Sequence, residues 1–280
     1  MHLLFRRLTG AAMTFGRHTR TLVLFPVMAT LVAGGIYLGW QVLRQSDEYL
    51  VSPKDIELAP PPRWVDRDVL LGEIVRDASL DDRLSLLDDR LTERINMAFR
   101  AHPWVESAEA EKFHPARIKV QIVYREPVAV VSSNDQLIPI DKNGIRLPAE
   151  DFTLDELRQF ARLDLLSISH QVRDGEIWDD PRILGGATIA AAIGEEWLPF
   201  GLAAIQPAAQ PIVDHPQAYT YMLVTRSGAR IPWGPQFLKA HATEPTAEEK
   251  MDRLKAYVKK NGPLDRVPAT GAGVRNTRKQ

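Results

Sequence analysis

The chain has 280 residues, with 35 lysines and arginines against 36 aspartates and glutamates, and no cysteine. Residues 1–43 hold Arg6, Arg7, Arg17 and Arg20 and no acid, so the remainder carries 31 basic against 36 acidic side chains. A body with that acidic excess does not attract polyphosphate, which argues against a nucleic-acid partner. The missing thiols exclude a disulfide framework and a thiolate metal site.

Residues 21–43 read TLVLFPVMATLVAGGIYLGWQVL, with no charged residue over 23 positions. About 20 apolar residues suffice to cross the hydrocarbon core. Pro26, Gly34, Gly35 and Gly39 are tolerated in a membrane helix, and Trp40 suits the outer interface. A buried core helix is disfavoured because the uncharged run is so long. A cleaved signal peptide is disfavoured because the run exceeds the usual apolar stretch of about 7–15 residues and ends in Trp40-Gln41-Val42-Leu43-Arg44. The arginines ahead of it place residues 1–20 in the cytoplasm by the positive-inside rule, and the body outside the membrane. The expected localisation is a single-pass protein of the cell inner membrane. Gly35 and Gly39 have the spacing that lets a second helix approach closely.

Residues 44–62 contain Pro53 and Pro60-Pro61-Pro62 and read as an extended spacer. A short helix is expected over Asp66 to Arg76. A second helix carries Leu84, Leu87, Leu91, Ile95 and Ala98 on one face. The acidic cluster Asp81, Asp82, Asp88 and Asp89 lacks the glycine and spacing of a calcium loop, and it suits a helix N-terminus. The helix stops at His102-Pro103. A strand of mixed pattern follows over Val105 to Phe113, and a clean alternation follows over Arg117 to Tyr124. Val128 to Val131 and Leu137 to Ile140 continue as strands, and Lys142-Asn143-Gly144 makes a hairpin-type turn.

Thr153 with Glu156 forms a capping-box pattern, and Asp180-Pro181 is an N-cap followed by proline at the first helical position. A helix of small residues is expected over Ile183 to Ile193. Ala203 to Ile205 and Ile212-Val213 are short strand candidates. Ala218 to Thr225 and Ala229 to Trp233 form a hairpin about Ser227-Gly228. Thr246 with Glu249 opens a last helix, which Asn261-Gly262 ends. Residues 268–280 are polar, contain glycine, and read as disordered.

Catalytic patterns are missing. No H-E-x-x-H, G-x-S-x-G or G-K-[ST] phrase occurs. Ser167 and Ser169 flank His170 too closely in sequence to act as nucleophile and base. The stretch Asp174 to Asp180, with Glu176 and Trp178, reads as a solvated loop before a capped helix rather than a glycosidase pair. No catalytic residue, cofactor or metal ligand is expected.

One phrase carries a family resemblance. It runs His102-Pro103-Trp104-Val105, then Ile118-Lys119-Val120-Gln121-Ile122, then Tyr124-Arg125-Glu126-Pro127-Val128-Ala129, then Asp141-Lys142-Asn143-Gly144. It resembles the POTRA domain and the start of the β domain in the FtsQ/DivIB cell-division family. Tyr221 to Thr225, Gly228, Ile231 and Trp233-Gly234 are similar to the family's late hairpin. Glu249, Lys250, Arg253 and Leu254 are similar to the helix after it. The chain departs from the family in having Tyr-Arg-Glu-Pro for Glu-Arg-x-Pro and a faint first strand near Arg63 to Val65. It also lacks a match, within Leu264 to Gln280, for the C-terminal strand that docks a small coiled-coil division partner.

The resemblance implies an α+β fold: a transmembrane helix over 21–43, a spacer over 44–62, a βααββ POTRA-like domain over 63–131, and a β domain with flanking helices over 132–267. It implies a non-enzymatic scaffold that binds membrane division proteins of the FtsB/FtsL type and, through them, the machinery of septal peptidoglycan synthesis. The alternatives are a POTRA-bearing secretion or assembly factor, and an extracytoplasmic enzyme whose site the sequence hides. For docking, the expected edge is the strand holding Tyr219, Tyr221 and Leu223, or the short strand beside it with Trp233, because after them only Leu264 to Val267 could pair briefly. The motif positions are Pro103, Trp104, Val105, Arg125, Glu126, Pro127 and Gly144. Trp104 is expected to be a buried anchor.

Overall fold

The computed structural model describes residues 25–42, 46–80, 83–133, 136–165, 168, 172–237 and 244–266. Residues 1–20 and 268–280, and with them Asp81, Asp82, Ser167, Ser169 and His170, lie outside the described residues. Helix α1 (Phe25–Val42) is long and apolar enough to cross a membrane, and all of its residues are exposed. Phe25, Leu31 and Val42 are each 70 % or more exposed, which a soluble fold does not tolerate along a whole helix.

The body is α+β. Its first sheet has the order β2-β5-β4, from β2 (Glu57–Leu58), β4 (Val105–Phe113) and β5 (Arg117–Tyr124). The β2–β5 pair is parallel and the β4–β5 pair antiparallel. Between β2 and β4 the chain forms α2 (Arg67–Asp77) and α3 (Leu91–Arg100). A separate two-stranded ribbon pairs β1 (Leu50–Val51) with β3 (Leu84–Ser85). Helix α2 begins where Asp66 accepts hydrogen bonds from the backbone N–H groups of Asp68 and Val69, at 2.8 and 3.0 Å. The apolar faces of α2 and α3 meet the inward face of β4 and β5, so Leu70, Ile74, Leu91, Ile95, Phe99, Ile118 and Val120 form one buried core.

The second sheet has six strands in the order β11-β10-β9-β8-β6-β7. They are β6 (Pro127–Ser133), β7 (Gln136–Asp141), β8 (Ala161–Asp164), β9 (Leu202–Pro207), β10 (Tyr219–Thr225) and β11 (Arg230–Gln236). The β6–β8 and β8–β9 pairs are parallel and the rest antiparallel. Helix α4 (Leu154–Leu157) precedes β8. Helices α5 (Pro181–Ile193) and α6 (Ala247–Asn261) cover the sheet and share its core with Ile140, Leu163, Ile205 and Leu223. The predicted capping boxes are present at α4 and α6, and Asp180 caps α5.

Several expectations need correction. The stretch 44–62 is not wholly a spacer: Val51 and Ile56 are buried, and β1 and β2 lie within it. The first strand of the small sheet is Glu57–Leu58, while residues 63–65 form a turn against α2. Helix α3 starts at Leu91, because Leu84 is spent on the β1–β3 ribbon. Strand β8 was not foreseen.

Trp104 is 1 % exposed and packs between Trp64 and Phe152, with ring centroids at 6.3 and 5.7 Å. Trp104→Ala is expected to lower the stability of a fragment starting at Ser46 by about 3–5 kcal/mol in denaturant melts. A fragment starting at Arg63 lacks β1, β2, Val51 and Ile56, so its midpoint is expected to fall below that of the longer fragment. Equal midpoints would show that residues 46–62 add nothing to the fold.

Candidate partner-docking site

Three edge strands end the two sheets at β4, β7 and β11, besides the two-residue β2. An open edge is a template for another strand, so its blocking or exposure decides where a partner can add. Along β4, Asn96 Oδ1 accepts from the Ala110 N–H at 2.7 Å and Arg100 donates to the Ala108 carbonyl at 3.1 Å. Side chains of α3 therefore occupy outward groups of that edge. Along β7, the Leu147 N–H donates to the Pro139 carbonyl at 2.9 Å and the Asp141 N–H donates to the Ile145 carbonyl at 3.0 Å. The chain folds back over that edge.

Among the described residues, no strand pairs with β11 on its outer side. Pro232 and Pro235 supply it with no N–H, and Lys250 of α6 donates to the Pro235 carbonyl. Between β11 and α6 lies a groove of about 390 Å³ whose walls include Pro232, Trp233, Pro235, Arg253, Leu254 and Tyr257. Lys250 sits 5.9 Å from the centre of the Trp233 ring and pairs with Glu244 at 2.7 Å. The groove offers apolar rings and prolines with a cationic rim.

The four docking residues read from the sequence do not all face this groove. Strand β10 is interior, flanked by β9 and β11, so it is not the open edge. Tyr221 is fully buried, and its hydroxyl donates to the Arg182 carbonyl at 2.9 Å. Burial raises its phenol pKa well above the ordinary tyrosine value and keeps it a donor. Leu223 is fully buried at the groove floor. Tyr219 is half-buried opposite Gln236, and Trp233 is 7 % exposed on the groove wall. Of the two strands the sequence offered as the edge, β11 and not β10 is outermost, because strand order is not encoded in local pattern. Tyr257 went unnoticed, although it falls on the amphipathic α6.

The motif positions come together elsewhere, at the seam between the two sheets. Arg125 pairs with Asp141 at 2.8 Å, and both side chains are largely buried. The other Asp141 oxygen accepts from the Asn143 and Ile145 N–H groups, each at 2.8 Å. The Arg125 N–H donates to the Trp104 carbonyl. The Trp104 indole donates to Asp151 at 2.6 Å, and burial raises the Asp151 pKa. Val105 is buried, Pro103 lies against Gly175, and Pro127 opens β6. Gly144 has φ +73°, and a Cβ there would meet Leu184 at 2.6 Å. Of this set only Glu126 is exposed. The motif therefore maintains the architecture.

Asp174 and Asp180 of the 174–180 stretch are likewise spent on structure. Asp180 caps α5 and holds Arg182 at 2.6 Å, while Asp174 makes a 2.7 Å ion contact with Arg146 that lacks hydrogen-bond geometry. Among the described residues no group of three or more His, Asp or Glu side chains is placed to hold a metal ion.

This arrangement defines a class: a membrane-length helix followed by two β-containing units, with one sheet edge left open beside an apolar groove. The relatives of the chain are FtsQ-type cell-division proteins, the family whose motifs its sequence resembles. A stretch of 125 residues is 29 % identical to a cell division protein FtsQ of Anaeromyxobacter sp. (strain K), covering 44 % of this chain and 40 % of that protein. Another of 135 residues is 24 % identical to a cell division protein FtsQ of Bartonella bacilliformis, covering 46 % and 41 %. The chain thus matches about two fifths of the length of each relative. No family profile matches it. Both of these relatives are named as cell-division proteins.

Arg125→Ala would leave Asp141 charged and buried without its cation. We expect a loss of about 3–5 kcal/mol in thermal or denaturant unfolding. A change below about 1 kcal/mol would mean that water replaces the guanidinium.

Proposed function

We propose that the chain is a non-enzymatic divisome scaffold, anchored by α1 with its body outside the inner membrane, that binds division proteins of the FtsB/FtsL type and so supports septum formation. The first unit then corresponds to a POTRA-like domain and the second to a β domain. The observation that carries this reading is the open β11 edge beside the Trp233–Tyr257 groove, in a chain whose relatives are named as division proteins. Strand addition there is lopsided. Pro232 and Pro235 accept but do not donate, so an added strand gains only part of a ladder, and the groove side chains must supply the rest of the affinity.

Tyr257 and Arg253 lie on the groove wall; Arg253 is exposed, and Tyr257 is partly buried at the margin of the large sheet's core. Arg253→Glu with Tyr257→Ala is expected to weaken capture of membrane division partners by about tenfold or more, as for interface anchors, with circular dichroism unchanged. A folded double variant that captures partners normally and supports septation would move the docking site away from β11.

The topology follows from α1 and the four arginines before it. A reporter active only outside the cytoplasm, fused after Pro62, is expected to be active. Activity confined to a cytoplasmic reporter would overturn the orientation.

A further inference from the structure

The 18 residues of α1 rise about 27 Å, close to the ~30 Å of hydrocarbon in a bilayer. Val42 then stands at the outer boundary of the apolar layer, with Trp40 beside it. Glu48 follows Val42 by six residues. An extended chain gains roughly 3.3 Å per residue, so the Glu48 carbonyl lies within about 20 Å of Val42. That carbonyl accepts the Ala116 N–H at 2.9 Å, in the turn between β4 and β5.

Other contacts fasten the same end of the small sheet to the residues just after the link. Tyr49 meets His114 edge-on, with ring centroids 5.6 Å apart. The Leu86 N–H donates to the Tyr49 carbonyl at 2.8 Å, and Arg83 pairs with Asp47 at 3.2 Å. Lys112 donates to the Leu86 and Asp88 carbonyls, each at 3.0 Å. The β4–β5 turn is therefore the end of the body tethered to the membrane. The far end of β5, at Tyr124, meets the seam with the second unit roughly 23 Å away.

The surface of the turn suits that place. Phe113 is 41 % exposed, and His114, Pro115 and Arg117 are exposed around it. Phe113 stands opposite Arg117 in the strand register, and Arg117 has no hydrogen bond or ion pair among the described residues. Of the nearby carboxylates, Asp47 is held by Arg83, Glu111 stands opposite Lys119, and Glu48 is balanced in number by Arg117. The tip thus has no net negative charge to repel anionic lipid. An aromatic ring sits favourably at the headgroup level, and a guanidinium beside it matches lipid phosphate.

We propose that the β4–β5 turn rests on the outer surface of the membrane that α1 spans, with the Phe113 ring in the interfacial layer and Arg117 on lipid phosphates. The proposal rests on the reading of α1 as a membrane anchor. The short link keeps the turn at high local concentration over the bilayer, so one ring and one cation suffice where they would not hold a free protein. With α1 and the turn both engaged, the small sheet stands end-on, and its strands hold the second unit away from the surface.

The chain has no cysteine, so a single introduced one takes a fluorescent label cleanly. The full chain is labelled at His114→Cys, Val123→Cys or Leu31→Cys with an environment-sensitive fluorophore. It is then reconstituted in vesicles of phosphatidylethanolamine and phosphatidylglycerol, part of the lipid carrying a nitroxide quencher near the headgroup. Val123 is 55 % exposed and lies on β5 roughly 20 Å beyond the turn. Strong quenching is expected at residues 31 and 114, and little at residue 123. Adding Phe113→Asp and Arg117→Glu to the His114→Cys chain should bring its quenching down to the level of residue 123, with circular dichroism unchanged. Quenching at residue 31 with none at residue 114 overturns the proposal and leaves the anchor standing. Equal quenching at residues 114 and 123 means that the body lies flat, and overturns it too. So does quenching at residue 114 that survives the Phe113→Asp, Arg117→Glu change. Loss of quenching at residue 31 removes the anchor, and the proposal with it.

Discussion

Only Arg125 and Glu126 separate the last strand of the small sheet from the first strand of the large one. So short a connection forces the two sheets to abut, and it forces the first of those residues into the seam. A buried guanidinium is costly unless it is paired and its partner's remaining lone pairs are filled. Asp141 meets that need because it ends β7 and opens a tight turn. One of its oxygens takes Arg125, and the other takes the two N–H groups of the turn. The turn in turn needs Gly144 at positive φ, which lets the next residues run back over β7 and close that edge. The Arg125 backbone meanwhile ties to Trp104, whose ring fills the space between Trp64 and Phe152. A single covalent constraint thus accounts for why Trp104, Arg125, Asp141 and Gly144 stand where they do.

Much of this was legible locally. The capping boxes at Thr153 and Thr246, the Asp180-Pro181 helix start and the alternation over Arg117 to Tyr124 are short-range signals, and each element formed where its signal lay. Trp104 was recognisable as an anchor because a large aromatic at a helix-to-strand turn has little else to do. What failed was non-local. Strand β8 sits between two parallel neighbours, and although Ala161-Arg162-Leu163-Asp164 alternates, four residues are too few to mark a strand. Strands β1 and β2 have two residues each and exist only because distant segments pair with them. The apparent helical face from Leu84 to Ala98 fused a strand residue with a true helix, since Leu84 fits either period.

The choice of β10 as an open edge failed for the same reason, with a specific cause. Tyr219, Tyr221 and Leu223 alternate as an edge strand would, but the returning strand β11 lies outside them. Tyr221 is held in place by α5. Its hydroxyl meets the Arg182 carbonyl, and a Cβ on Gly185 would come within 2.3 Å of that hydroxyl. The neighbouring Gly186 gives the same clearance to Leu163. The small residues of α5, read from the sequence only as a helix of low bulk, are what let it sit tightly on the sheet. A tyrosine that looked like a contact residue is therefore a packing residue.

In the proposed docking, selectivity rests on which edges are closed. The α3 side chains Asn96 and Arg100 occupy β4, and the chain's own return segment occupies β7. Both closures follow from the first unit and the seam, not from any partner. Strand β11 is closed only in part: its prolines remove donors without covering the strand, and Lys250 takes one carbonyl. Such an edge discourages a second copy of itself, because two acceptor-rich edges cannot pair with each other. It still admits a segment that brings its own donors and an apolar side chain for the Trp233 groove. An edge that rejects its like and accepts a complement is what a protein needs if it is to bind one partner without aggregating at the membrane.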